Sequence, residues 1–432
     1  YIYIYQIFFI KNKEIENNHM KAIVIGGGIM GLSSAHYLQQ SGWDVTVIDK
    51  HNFEDNASYG NAGYVCPSHF IPLASPGIVQ QGLKLMWNPR SAFYVVPRLS
   101  WSLISWGMKF MKVATKEHLE KSAVPLRDFA LFSQHCYTEL GKLPGFEMAY
   151  EHKGLLEYYQ TAEKEEHSHH IAEDARKLGL EAEMLTRGQV QAMEPGVDLN
   201  IKGALYFKCD AHLYPQKLMK SMKALLQQNN VTMIGGEELA GFEMQNGKVQ
   251  KVRTDKHVYD ADMVVIATGA WSREVAKMVG HDLLLMPGRG YSVTLENSPF
   301  QLNYPAVLQE GRVAITPMDG NKIRFGGTME ITSTNKPPRM NRVIGILEAV
   351  QQFLPEFKIP LPQQKDVWYG YRPCSADGLP YIGKIKENVI VATGHAMIGL
   401  SQGAGTGKLV SEIANDEKTS VDVKPYDPFR FR

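Results

Sequence analysis

The sequence is poor in cysteine, nearly balanced in charge, and without a long apolar run. Its four cysteines, Cys66, Cys136, Cys209 and Cys374, stand alone among 432 residues. With no CxxC pair and no cysteine–histidine set at zinc spacing, neither a disulfide framework nor a metal site is expected, and a reducing compartment fits. Lys and Arg number 46 against 45 Asp and Glu, a formal net charge of +1. Nucleic-acid binders usually carry a strong basic excess, so that class is set aside. No stretch of about 18 residues is uniformly apolar, so no transmembrane helix is expected and a cytoplasmic location fits. At 44% apolar and 21% charged residues, wholesale disorder is excluded. At roughly 150 residues per domain, the length suits two or three domains, or one large α/β domain with an insertion.

The opening YIYIYQIFFI is apolar but too short to span a bilayer, and it lacks a basic n-region and a small-residue cleavage site. Met20 stands just before a strong strand pattern. Residues 1–19 are therefore expected to be a non-native or disordered extension outside the fold.

What is present is a nucleotide signature. Residues 22–25 (AIVI) read as a buried strand, followed by Gly26-Gly27-Gly28-Ile29-Met30-Gly31, a G-x-G-x-x-G. A helix is predicted over about 30–40, closed by Gly42, and a second strand at 45–48 ends in Asp49. The glycines permit a tight turn and close backbone approach. The helix N-terminus faces a pyrophosphate, and Asp49 accepts from ribose hydroxyls. An acid there, rather than Arg, favours an adenosine ribose without a 2′-phosphate. Further on, 215–228 reads as a helix with Pro215 near its start, 231–234 as a short strand, and 262–272 as a strand running into Thr268-Gly269.

Five further segments accompany this fingerprint: ASYGNAGYVCPS at 57–68, MPGRGYSVTL at 286–295, IRFGGTME at 323–330, GYRPCSADGLPYIG at 370–383 and VIVATGHAMIGLSQGAGTGK at 389–408. Together, and in this order from about 20 to 425, they resemble the D-amino-acid oxidase/dehydrogenase superfamily of FAD enzymes. Within it they look most like the bacterial D-amino acid dehydrogenase small-subunit branch. The resemblance implies an α/β fold: a Rossmann-like FAD-binding domain with an α+β substrate domain on a mainly antiparallel sheet. The FAD domain is expected at 20–80, 184–285 and 372–425, the substrate domain at 81–183 and 286–371. It also implies non-covalent FAD, held by Gly26, Gly28, Ile29, Met30, Gly31, Asp49, Lys50, Ser58, Asn61, Ala62, Gly63, Leu239, Thr268, Gly269, Trp271, Gly394, Ile398, Gly399, Leu400 and Ser401.

Oxidising a Cα–N bond passes two electrons to the flavin, so the protein chiefly positions the substrate. A carboxylate calls for a planar, bidentate cation, which means Arg. The resemblance places that role on Arg372; an ion pair with Asp366 or Asp377 is the structural alternative, and Arg289 and Arg324 are the next anchors. Tyr291 is either a hydroxyl donor to the substrate or a core aromatic. His395 is a base, a flavin contact or a packing residue. His167, His169 and His170 lie among Glu163, Glu165, Glu166 and Glu173 and read as a solvated helix face rather than a metal site. Cys374 does not match the offset of a flavin-linking cysteine, and Cys66 reads as a loop thiol without a catalytic role.

From Asn56 to Lys116 there are six Lys or Arg and no Asp or Glu, together with Trp87, Trp101 and Trp106. This segment is either a lid over the substrate entrance or, through 78–116, a peripheral membrane contact on the inner face of the cytoplasmic membrane. The expected reaction is dehydrogenation of a small amino acid, foremost a D-amino acid, to the imino acid, with electrons passed to a quinone-type acceptor. Secondary amines (proline derivatives, sarcosine, glycine) are the rival substrates. An NAD-dependent dehydrogenase or a non-catalytic nucleotide sensor leaves the Arg372 segment unexplained.

Overall fold

A computed structural model describes residues 20–78, 80, 90–96, 98 and 100–431. The expectation for residues 1–19 lies outside the described residues, as do Lys84 and Trp87 of the basic segment.

Two large sheets organise the chain. The first has six strands in the order Tyr381–Lys386, Val389–Thr393, Met263–Ile266, Lys21–Ile25, Asp44–Asp49, Thr232–Gly235. All neighbours are parallel except the antiparallel edge strand Tyr381–Lys386. Its strands are apolar on both faces. Ala22, Val24, Val45, Val47 and Val265 point into one core with the helices Ile29–Gln40, Pro215–Gln228 and Gly403–Ala414. Ile23, Ile25, Ile48, Val264 and Ile266 point into another, shared with the helix Ser272–Met278 and the three-stranded sheet 239–260. Burial on both faces is what a parallel sheet requires, and the strand order puts the topological switch between Lys21–Ile25 and Met263–Ile266.

The second sheet runs Trp368–Ser375, Leu285–Leu295, Ile323–Ile331, Val313–Pro317, Ala306–Leu308, Leu155–Tyr159, Gly203–Phe207, Ala182–Thr186, with Phe93–Val95 also paired to Ile323–Ile331. It is antiparallel except at two short parallel pairs. The helix Met340–Phe353 covers one face through Val343, Ile346, Val350 and Phe353.

The border between the sheets differs from the sequence expectation. Ala182–Thr186 and Gly203–Phe207 belong to the second sheet, although 184–285 reads as the nucleotide portion. Their placement depends on pairing with distant Leu155–Tyr159, which local pattern does not encode. Likewise the long helix Lys116–Leu140, expected on the substrate side, buries Cys136, Tyr137 and Leu140 in the core of the first sheet.

Candidate active site

The strand Lys21–Ile25 ends at Gly26, whose φ of +110° belongs to glycine. The Gly26 N–H donates to Ile48 O at 2.8 Å, closing the turn. The helix Ile29–Gln40 starts from Gly28 with no side-chain cap of its own. A Cβ at Gly31 would overlap the Gly26 carbonyl, so the close crossing of turn and helix requires glycine there. Asp49 accepts from Gly27 N–H through Oδ2 at 2.6 Å and from His51 N–H through Oδ1 at 2.7 Å. Ser58 Oγ accepts from Ile29 N–H at 3.0 Å, and Asn56 Nδ2 donates to Gly27 O at 3.1 Å. The 56–61 loop thus sits directly on the glycine turn.

From this turn a cavity of about 790 Å³ extends along the carboxyl ends of the parallel strands to the second sheet. It brings together Gly26, Gly28, Ile29, Met30, Asp49, Lys50, Ser58, Asn61, Leu239, Thr268, Gly269, Trp271, Arg372, His395, Gly399 and Leu400. Gly31, Ala62, Gly63, Gly394, Ile398, Ser401 and Tyr291 do not line it. Several of these act behind the wall. Ser401 Oγ accepts from Cys66 N–H at 2.9 Å, its carbonyl accepts from Ser133 Oγ at 2.7 Å, and Gly63 O accepts from Leu213 N–H at 2.8 Å.

Arg372 lies on the strand Trp368–Ser375, opposite Gly288. Its guanidinium crosses Gly290 so closely that a Cβ there would collide with it. Nη1 donates to Thr328 O at 2.7 Å. Thr328 has φ +63°, where Ile323–Ile331 slips register against Leu285–Leu295. A β-branched residue in that region is strained, and the irregularity is what turns the carbonyl toward Arg372. Among the described residues no carboxylate pairs with Arg372. Of the two suggested partners, Asp377 is held by Arg430 at 2.7 and 2.9 Å, and Asp366 forms no ion pair with Arg372 among the described residues. Burial lowers the Arg372 pKa from its ordinary value, yet an arginine stays charged. The cavity wall therefore carries a guanidinium without an anionic partner among the described residues.

His395 is buried. Its Nε2 lies 2.9 Å from Thr406 Oγ1, whose own proton goes to Gln402 O at 2.8 Å. Nε2 is thus the protonated nitrogen, and Nδ1 has no hydrogen-bond partner among the described residues. Burial pulls its pKa down to about 3, so at neutral pH it is an uncharged imidazole with little capacity as a base. The contact and packing roles are the ones this geometry favours.

Tyr291 is corrected. Its hydroxyl donates to Glu330 Oε2 at 3.0 Å and accepts from Arg339 N–H at 2.9 Å, and it is 1% exposed. Glu330 is also clasped by Arg289 at 2.8 and 3.0 Å. Tyr291 and Arg289 therefore belong to a closed polar network behind the wall, the core-aromatic alternative. Arg324 is spent on the 56–61 loop, donating to Tyr59 O at 2.9 Å and Asn61 O at 2.8 Å.

Sequence reasoning missed Trp368, Tyr369 and Tyr371, which line the cavity beside Arg372. The signal was W-Y-G-Y-R on a strand: period-two alternation puts Trp368 on the face of Arg372, but it puts Tyr369 and Tyr371 on the other face and could not have found them. Tyr371 donates to Thr334 O at 2.9 Å and meets Trp271 edge-on at 6.0 Å, with Lys50 Nζ 4.3 Å from the Trp271 ring centre.

Comparison with known proteins gives consistent relatives. The family model described as FAD dependent oxidoreductase matches residues 21–413. A D-amino acid dehydrogenase of Granulibacter bethesdensis is 27% identical, covering 93% of this chain and 97% of its own length. One from Helicobacter pylori is 28% identical over 95% of this chain and 98% of its own. The fold resembles glycine oxidase from Geobacillus kaustophilus, with a TM-score of 0.76 at 21% identity, covering 96% of this chain and all of that one. It also resembles L-proline dehydrogenase from P. horikoshii, with a TM-score of 0.73 at 19% identity, covering 96% of this chain and 98% of that one.

Proposed function

We propose that this chain, which belongs to the FAD dependent oxidoreductase family, dehydrogenates a small amino acid, foremost a D-amino acid, held by its carboxylate on Arg372. The observation that carries this reading is the Arg372 guanidinium: lining the cavity, anchored by one carbonyl, and without a carboxylate among the described residues. A substrate carboxylate completes its hydrogen bonds as a bidentate pair, which fixes the Cα. The substrate named by the two bacterial relatives agrees with this choice.

The residues fit the family cofactor. A helix N-terminus opened by the side-chain-free Gly28, an acid ending the second strand and one cavity reaching Arg372 suit a dinucleotide. FAD, when bound, supplies the acceptor for the two electrons of the Cα–N bond. Asp49 and the glycine turn would hold its adenosine end, and Gly399, Leu400 and neutral His395 its ring end. Trp368, Tyr369 and Tyr371 exclude water from the substrate side. With neutral His395 unable to take up a second proton at neutral pH, the substrate amine binds in its free-base form and its ammonium proton leaves to solvent. We assign the first sheet to the cofactor and the second to the substrate.

The electrons leave to a quinone-type acceptor at a membrane surface. Among the described residues no helix is long and apolar enough to cross a membrane. The helix Trp101–Val113 instead carries Trp101, Ile104, Met108 and Met111 on one outward face.

The test is a paired panel of D- and L-amino acids with sarcosine, glycine and proline, run on the FAD-loaded protein with an artificial electron acceptor and then with oxygen alone. Turnover of D-amino acids with the artificial acceptor only is the expected result. Preference for a secondary amine, or full turnover with oxygen, overturns the substrate or the acceptor respectively.

A further inference from the structure

Outside the cavity, one group of side chains has no part in the reading above. Cys66, His69 and Asp210 converge where the short strand Tyr64–Val65 pairs with Ala211–His212. One potential ligand atom from each, a thiol sulfur, an imidazole nitrogen and a carboxylate oxygen, lies within 4.8 Å of the other two. None of the three lines the large cavity.

We propose that Cys66, His69 and Asp210 form a binding site for one divalent transition-metal ion of the zinc type. The donor set is a borderline sulfur, nitrogen and oxygen triad, which suits zinc and cobalt better than magnesium or calcium. Bonds of about 2.0–2.3 Å in a tetrahedron place ligand atoms roughly 3.3–3.8 Å apart, so a modest inward closure completes the site. The fourth position belongs to water.

Two independent features support a cation here. First, Asp210 is fully buried yet forms no ion pair among the described residues. Its contacts are Ser68 N–H at 3.0 Å, Ser68 Oγ at 2.5 Å and the Cys209 thiol at 3.6 Å. Glu157 is close enough for the charge of Asp210 to act on it, but it takes a hydrogen bond from Gln309 at 3.1 Å and feels the charge of Lys164. A fully buried carboxylate without an ion pair is costly. Second, the surroundings have the form of outer-shell support. The Ser68 N–H and hydroxyl orient the carboxylate, and Ser68 Oγ sits 3.2 Å from His69 Nδ1. Such partners aim metal ligands.

Binding balances simply: the ion takes the Cys66 sulfur as thiolate, and the thiol proton leaves to solvent, one per ion. The consequence is mechanical. The Cys66 N–H bonds Ser401 Oγ, so the metal would clamp the loop at 57–69 both to the turn that carries Asp210 and to the glycine-rich 394–402 segment. C-P-S-H at 66–69 is a C-x2-H spacing, but the third ligand is distant in sequence.

The experiment uses the FAD-loaded full chain after chelator dialysis, titrated with Zn²⁺ by calorimetry in two buffers of different ionisation enthalpy. Saturable 1:1 binding with one proton released is expected, and Co²⁺ should give a thiolate-to-cobalt charge-transfer band in the near-ultraviolet difference spectrum. Cys66→Ser and His69→Gln should each weaken binding by about a hundredfold or more, since even outer-shell changes cost about 10–100-fold. His69 is only half-buried, so His69→Gln decides the matter should Cys66→Ser fail to fold. No saturable binding to the native protein, or binding that survives His69→Gln, overturns the site and leaves a hydrogen-bonded thiol–carboxylate cluster. Neither result bears on the Arg372 reading, whose readout is substrate turnover.

Discussion

Arg372 is held by two features that a neighbouring position can spoil, which makes its role separable from simple stability. A charge-assisted contact contributes about 1.5–3 kcal/mol, and each 1.36 kcal/mol is about tenfold in rate. Arg372→Ala should therefore lower kcat/KM by at least about tenfold, and above a hundredfold where positioning of Cα is also lost. FAD absorbance should remain, and Tm should shift by only a few degrees. Arg372→Lys should recover part of the activity, because an ammonium lacks the planar fork. Gly290→Ala should reproduce the loss with Arg372 still present, since the added Cβ displaces the guanidinium. Near-normal kcat/KM in a folded, FAD-loaded Arg372→Ala protein removes Arg372 from the site. At the same scale, no cysteine is among the cavity-lining residues, and Cys374 is buried against Met329. Acid precipitation should accordingly leave the yellow colour in the supernatant; colour in the pellet would show a covalent flavin.

Among the elements, the helix Trp101–Val113 divides its aromatic residues between two faces. Trp106 points inward, its Nε1 donating to Cys374 O at 2.9 Å, and stacks on Phe110 at 5.0 Å. Trp101 is 76% exposed, and Ile104, Met108 and Met111 follow it at helical spacing beside exposed Lys112. Inserting a large apolar side chain contributes about 1.5–3 kcal/mol. Replacing Trp101 and Met111 together by Ser should then cut sedimentation with anionic vesicles more than about tenfold, with amino-acid turnover to an artificial acceptor retained. Unchanged sedimentation would assign that face elsewhere. The basic, tryptophan-rich composition marked this segment without giving its helix, whereas local glycine and valine patterns made the strand–turn–helix–strand unit ending in Asp49 legible, and Pro215 the helix Pro215–Gln228. Elements whose identity depends on distant partners were not. Ala182–Thr186 finds its sheet through Gly203–Phe207, and the Thr328 irregularity exists only against Leu285–Leu295. Tyr291 illustrates the same limit within the site: its fate rests on Glu330 and Arg339, tens of residues away.

Across the whole molecule, buried titratable groups of opposite tendency nearly offset one another. Burial lowers His395 to about 3 and His36, His69 and His212 to about 4. Unfolded, these four regain a value near 6.5, so below that pH the unfolded chain takes up protons that the native one refuses, and stability falls with falling pH. Glu157 and Glu194 are raised to about 7 and Asp210 to about 6, chiefly by burial. Their native forms hold protons that the unfolded chain binds only near pH 4–4.5, so between about 7 and 4.5 they add stability as pH falls. Four histidines against three carboxyls leave a net uptake of about one proton on unfolding, or about 1.4 kcal/mol per pH unit. Between about pH 4.5 and 4 the carboxyls no longer differ between states and the histidine effect stands alone, until the native histidines themselves titrate at about 4, and His395 at about 3. With chelator present, Tm should therefore decline gently from pH 6.5 to 4.5 and drop more steeply between about 4.5 and 4. Glu194 accepts from Asn303 N–H at 2.8 Å and Tyr304 N–H at 2.8 Å. Glu194→Gln removes one of the offsetting carboxyls without changing volume, so it should steepen the decline between pH 6.5 and 4.5 by about one proton. A steep fall of the native protein beginning at pH 6.5, or a Glu194→Gln profile parallel to it, would show that the carboxyls do not carry the compensating protons.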